Sequence, residues 1–257
     1  MIGLVLGDTQ LGNLIISKLK KKKIQYIIID ISKKKKFKKN KNSYSLSIGQ
    51  LGKAISILKK NKCKKVIFAG RISRPNFFRT KFDLKGLYYL PKIISGSKKG
   101  DAYIIKEVIR IFNREKIKVL SQIHFSPDLT LKKGTYTKQK TDIYTVKDIS
   151  IGKSVIKDLK KNNVGQAIVV RQNQIIAVED ENGTDLMLKR AHKILRNIHK
   201  NKKKSGVLLK FPKPNQDLRV DLPTVGIKTF KSCFKIGLKG IVLKSNHNIF
   251  LDKSKSI

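Results

Sequence analysis

The first thirty-one residues, Met1–Ile31, read MIGLVLGDTQLGNLIISKLKKKKIQYIIIDI, and their pattern changes period twice. Ile2–Leu6 is a short apolar run that stops at Gly7. Leu14, Ile15 and Leu19 then recur at helical spacing, and Ile24–Ile31 is a second apolar run with Asp30 near its carboxyl end. A strand, a glycine turn, a helix and another strand make a βαβ unit, the building block of a parallel α/β sheet. The turn Gly7-Asp8-Thr9-Gln10-Leu11-Gly12 lies at a helix N-terminus, which attracts anions. Its glycines do not follow the G-x-G-x-x-G spacing of a dinucleotide site. An oxidoreductase is therefore supported by the strand–turn–helix alone.

The same alternation continues outward. Lys33–Lys41 is a lysine run around Phe37 that reads as a solvated loop, and Leu51–Lys60 places Leu51, Ile55 and Leu58 on one helical face. Lys65–Ala69 is the next strand, followed by Gly70-Arg71-Ile72-Ser73-Arg74-Pro75. Two arginines just past the carboxyl end of a strand lie where open α/β sheets bind ligands. Arg74, held extended by Pro75, would reach an anion; the plain alternative is an exposed loop. Leu84–Ile94 reads as a helix, and Asp101 as the N-cap of a second one that turns Ile104, Ile105, Val108, Ile109 and Phe112 toward the core. Ile117–Ile123 is a further strand.

Between Ser126 and Tyr144 the periodicity gives way to proline, glycine, threonine and lysine, so the junction between two domains is placed there. The expected organisation is an N-terminal Rossmann-like α/β domain over 1–128, a linker over 129–136, and a C-terminal α/β domain over 137–257. The second half predicts a helix over Asp148–Lys161 and a hairpin of Val164–Arg171 and Gln174–Val178 around Gln172-Asn173. The acidic run EDENGTD, Glu179–Asp185, leads into a helix over Leu186–Asn197. Thr184 or Asp185 would cap that helix; the run would also suit a cation, though without calcium-loop spacing. Val207–Lys210 is a strand, Thr224–Phe234 reads as a helix, and Gly240–Leu243 and Ile249–Leu251 read as closing strands.

The most chemically loaded segment is Lys210–Gly226, KFPKPNQDLRVDLPTVG. Three prolines brace it. In an extended backbone Asp217, Arg219 and Asp221 would share a face. Two carboxylates beside Lys213 and Arg219 suit a divalent cation and a phosphate. A salt-bridged loop is the alternative.

Composition bounds the class. The 257 residues carry 59 Lys and Arg against 17 Asp and Glu, a net charge of +42, with no tryptophan. So basic a chain admits a nucleic-acid-binding protein on an α/β scaffold. Yet the excess is scattered lysine, with few arginines for base readout and few aromatics for stacking. It reads as compositional background that would also favour an acidic bilayer. Two distant cysteines, Cys63 and Cys233, point to a reducing cytoplasm. No apolar run approaches the length of a membrane span, and the chain opens directly on a strand, so any membrane contact is expected to be peripheral. The histidines lack zinc-ligand spacing, and neither a G-x-S-x-G elbow nor a P-loop is present.

With these segments placed, the chain resembles the UDP-2,3-diacylglucosamine pyrophosphatases of lipid A biosynthesis, of the type unrelated to calcineurin-like phosphoesterases. The resemblance runs through Phe68-Ala69-Gly70-Arg71 with Arg74-Pro75, then Gly100-Asp101, Val164-Gly165-Gln166-Ala167 and Gly183-Thr184-Asp185. It is strongest from Lys213-Pro214 through Gln216-Asp217, Arg219 and Asp221-Leu222-Pro223-Thr224 to Gly226. It implies two α/β domains with the active site in the cleft between them. It also implies magnesium-dependent cleavage (with manganese as a substitute) of a lipid-linked UDP-sugar to UMP and 2,3-diacylglucosamine 1-phosphate, at the inner face of the cytoplasmic membrane. A homodimer is a family-level expectation, and no nucleic-acid partner is expected. On this resemblance Asp221 is the main catalytic carboxylate with Asp217 assisting, and Asp221, Asp217 and Asp185 are the metal candidates. Substrate contacts are expected from Lys213, Gln216, Arg219, Thr224, Gly165, Gln166, Thr184 and Arg74. Three departures stand out: the N-terminal turn lacks the usual Leu-Pro, Asn182 occupies a position where a glutamate is usual, and the chain ends soon after Leu251.

Overall fold

A computed structural model of the chain describes residues 1–72, 76–77, 79–98, 100–137, 141–161, 165–198, 204–214 and 216–253. Residues 1–127 and 128–257 form two compact units.

In the first unit, strands β1 (Ile2–Leu6), β2 (Tyr26–Asp30), β3 (Ser43–Ser45), β4 (Lys65–Ala69) and β5 (Lys118–Leu120) form one parallel sheet in the order β3-β2-β1-β4-β5. This is the strand order of a doubly wound sheet, with the reversal between β1 and β4. The connecting helices are α1 (Leu11–Lys21), α2 (Leu51–Lys60), α3 (Leu84–Lys98) and α4 (Asp101–Arg114). β1 is buried at every residue, as expected of a strand covered on both faces. α3 runs on past Ile94 to Lys98, with Pro91 inside it. α4 begins at Asp101 with Gly100 in the cap position at φ 105°, so the aspartate is the first helical residue and not the cap. On α4 it is Ile109, Ile111 and Phe112 that are buried; Ile104, Ile105 and Val108 are only half-buried.

The lysine run departs from the expected solvated loop at one point. Phe37 is buried against Gly12 of α1. Its backbone N–H donates to Asp30 Oδ2 at 2.9 Å. Asp30 Oδ1 accepts from the Ser32 N–H at 3.0 Å and the Ser32 hydroxyl at 2.6 Å. The fully buried acid at the end of β2 is thus satisfied within its own loop, and the chain then enters β3, which the sequence pattern does not announce.

In the second unit, β6 (Ala167–Arg171), β7 (Gln174–Val178), β8 (Val207–Lys210) and β10 (Gly240–Leu243) form a mixed sheet in the order β10-β8-β6-β7. A separate parallel pair joins β9 (Thr224–Val225) to β11 (Ile249–Phe250). Gln172 and Asn173 both have positive φ, 52° and 64°, the conformation that a two-residue hairpin turn matched to strand twist requires. The sheet's two faces separate by alternation. Ile168, Val170, Val207 and Leu209 pack toward α5 (Ile143–Lys161). Ala167, Val169 and Leu208 pack toward α6 (Thr184–Ile198) and α7 (Ile227–Lys235). The helix expected to start at Thr224 starts at Ile227, because Thr224 and Val225 pair with Ile249 and Phe250.

Candidate active site

Lys210 is the last residue of β8. With a side-chain period of two it shares the face of Leu208, which α6 covers. A lysine there must be buried, and it is only 7% exposed. Its Nζ donates to the Thr224 carbonyl at 3.0 Å, tying the strand end to the far end of the 211–224 loop. Burial pushes its pKa down, and the carboxylates of Glu179, Asp185 and Asp221 act against that. One shielded ammonium therefore lies within electrostatic reach of three acids that come from three elements: the exit of β7, the first turn of α6, and the loop after β8.

Glu179 is also buried. The Thr184 hydroxyl donates to its Oε2 at 3.1 Å. Burial raises its pKa, while Lys210, Thr184 and Lys213 pull it back. The backbone fixes it as well: its N–H donates to the Ala167 carbonyl at 2.9 Å. Gly165 sits at φ 60°, where a Cβ would lie 2.1 Å from the Glu179 carbonyl oxygen. Only glycine allows that approach, so its role here is to let Glu179 close on the strand. The next residue, Gln166, accepts the Phe211 N–H on its carbonyl at 2.9 Å. Its buried side-chain Oε1 finds no hydrogen-bond partner among the described residues.

The loop itself is not extended. The N–H groups of Val220 and Asp221 both donate to the Asp217 carbonyl, at 3.0 and 2.9 Å, which closes a turn over 217–221. Asp217 and Arg219 form a two-point pair: Nε to Oδ1 at 3.0 Å and Nη2 to Oδ2 at 2.7 Å. This corrects the extended reading, in which Asp217, Arg219 and Asp221 project together. A tight turn brings the guanidinium back onto the acid two residues earlier. Lys213 and Gln216 close a second turn, with the Lys213 N–H donating to Gln216 Oε1 at 2.9 Å. Asp185, exposed in the first turn of α6, receives Lys228 Nζ at 2.5 Å. Arg74 lies outside the described residues.

Among the described residues no group of three or more His, Cys, Asp or Glu side chains is placed to hold a metal ion. Magnesium, however, commonly takes one or two carboxylates and completes its shell with water and phosphate oxygens. Asp185 and Asp221 provide hard oxygen donors of that kind near the same ammonium. Asp217 fits less well, since Arg219 engages both of its oxygens.

Two family profiles cover the chain, the LpxI N-terminal domain over residues 1–129 and the LpxI C-terminal domain over residues 132–257. The chain belongs to the LpxI family. A curated member, the UDP-2,3-diacylglucosamine pyrophosphatase LpxI of Caulobacter vibrioides, is 33% identical over 213 residues, spanning 82% of this chain and 76% of the relative. The cluster around Lys210 falls wholly inside the LpxI C-terminal domain. Glu179 and Lys210 open the acidic run and the loaded segment, yet the sequence pattern assigns neither a role of its own; both roles were findable. A lysine closing the apolar strand VLLK, in phase with a core leucine, demands a buried acid. Glu179, the first residue of the acidic run after β7, is such an acid.

Proposed function

We propose that this chain hydrolyses the pyrophosphate bond of UDP-2,3-diacylglucosamine, giving UMP and 2,3-diacylglucosamine 1-phosphate for lipid A synthesis. The observation that carries the reading is a lysine buried at the end of β8 and bonded to the Thr224 carbonyl, with Glu179, Asp185 and Asp221 within its electrostatic reach, inside an LpxI C-terminal domain. Lys213 and Arg219 supply positive charge for the diphosphate oxygens, and Asp217 orients Arg219 in place of the metal-assisting role expected of it. Gln216, Thr184, Thr224, Gly165 and Gln166 belong to the segments that carry these groups and are proposed to meet sugar or phosphate oxygens. Arg74 is retained as a further anion contact.

Water adds to the sugar-linked phosphorus while the bond to the bridging oxygen breaks, so UMP leaves with that oxygen. Asp221 is the residue that orients the attacking water and accepts its proton. Asp221 and Asp185 would hold magnesium, which when bound supplies charge neutralisation on the pyrophosphate. Lys210 sets a positive charge behind Asp221 and anchors the loop through the Thr224 carbonyl. The substrate being lipid-linked, the proposed location is the cytoplasmic face of a membrane; no helix among the described residues is long and apolar enough to cross one.

The test is hydrolysis of UDP-2,3-diacylglucosamine in 18O-labelled water with magnesium present. UMP release with the label in the sugar phosphate supports the reading. Label in UMP overturns the proposed point of attack, and no turnover by the folded chain overturns the activity.

A further inference from the structure

α3 is apolar on two sides. Tyr89 is buried on the side that packs against α2 and α4, yet Leu84, Leu87 and Tyr88 are 87%, 52% and 72% exposed. With Pro91 and Ile94 they recur at i, i+3, i+4, i+7 and i+10, the spacing of a helix face that is normally covered. Leu87, Leu90, Pro91 and Ile94 line a shallow groove of about 470 Å³. A contiguous exposed apolar stripe marks a contact surface. Its flank carries Lys85 and Lys92, two turns apart, with Lys81 just before the helix, and α3 contains no acidic residue. Lys85 shares its charge with Glu115; Lys92 is exposed.

We infer that α3 is the surface by which this protein docks on an anionic lipid bilayer, lying in the plane of the interface. A helix that is apolar on one side, with lysines beside the stripe and tyrosine at its edge, is the chemistry of interfacial binding. Lysines near the surface add attraction to anionic headgroups. At 15 residues α3 is too short to span, so it lies flat. Charge decides between the bilayer and a second copy of the chain. A protein of net charge +42 repels its own copy across a lysine-flanked stripe, whereas an anionic leaflet attracts it. The proposal deepens the lipid-linked reading above by naming the docking surface. Its test needs no substrate, so the two fail separately.

The chain has no tryptophan, so Tyr88→Trp places a single indole reporter on the stripe. With phosphatidylglycerol-rich vesicles the full chain is expected to float, and the indole emission of the Tyr88→Trp variant to shift to the blue and be quenched by brominated lipid. Leu84→Ser/Leu87→Ser/Tyr88→Ser should weaken flotation about ten-fold or more. Lys92→Gln should weaken it by about five-fold, through lost headgroup attraction. The exposed apolar residues at the start of α5, changed as Ile143→Ser/Tyr144→Ser/Val146→Ser, serve as the control and should leave flotation unchanged. The α3 triple variant should keep parental activity on detergent-dispersed substrate, which separates lost docking from lost folding. Flotation without a shift in indole emission, flotation abolished by the α5 changes instead, or a vesicle-independent dimer lost in the α3 variant would each overturn the proposal. So would failure of the parent chain to float.

Discussion

Each unit ends a buried strand on a buried charge, and the two ends behave differently. In the first, Asp30 closes β2 and its carboxylate is taken up by the Ser32 N–H and hydroxyl and the Phe37 N–H. Nothing is left over for a ligand, and the position where a dinucleotide fold would meet a ribose has become a loop brace. In the second, Lys210 closes β8, its Nζ donates to the Thr224 carbonyl, and three acids lie within its electrostatic reach. Two of these acids, Asp185 and Asp221, are not buried. A strand end becomes a candidate site where charges from several elements meet at it within reach of solvent, and becomes architecture where one buried loop takes up its charge.

The strongest way to break this contrast is Asp221→Ala. The folded variant is expected to lose about a thousand-fold or more in turnover, on the scale of a lost charge-stabilising group. Near-parental UMP release would remove the second strand end from the chemistry. Next, Lys210→Met leaves Glu179 buried without the cation that most lowers its pKa. A loss of about 3 kcal/mol in denaturant unfolding is expected, and adding Glu179→Gln should recover much of it. If the double variant is no more stable than the single, the two groups are not compensating each other.

Asp30→Asn tests the other side. It keeps one acceptor but weakens three hydrogen bonds at a buried site, for an expected cost of about 2 kcal/mol. Turnover should stay unchanged, and a large loss of activity with intact stability would erase the distinction. The smallest effect belongs to Glu115, whose pKa is lowered by hydrogen bonds from Lys59 and Lys85. A depressed carboxyl stabilises the fold above its ordinary range and loses that contribution as the pH falls through its folded value. Glu115→Gln should therefore cost about 0.5 kcal/mol at neutral pH, given the exposed lysines, and nothing in strong acid. An equal cost at both pH values would assign the effect to packing.

Much of this contrast was legible in the sequence, though unevenly. The βαβ opening, the Gln172-Asn173 hairpin and the α/β class of both units follow from apolar periodicity, which local residues fix. Periodicity could not supply β3, three residues without a long apolar run, or the start of α7, delayed because Thr224 and Val225 pair with residues 249–250. The residue types of the central block mark it as chemically loaded, but they do not fix its geometry. An extended reading puts Asp217 beside Asp221, whereas the turn gives Asp217 to Arg219. Glu179 and Lys210 lie thirty-one residues apart in sequence. Only the folded sheet shows that they need each other.

The knot around Asp30 has a further consequence for how the chain meets a protease. Lys33–Lys41 offers trypsin seven lysines in nine residues, a tract that composition alone would mark as the first place to be cut. With Phe37 sunk beneath it and its backbone pinned to Asp30, the tract lacks the slack that a protease groove demands. Releasing that one carboxylate should turn the most lysine-dense part of the molecule from a resistant segment into its first point of cleavage.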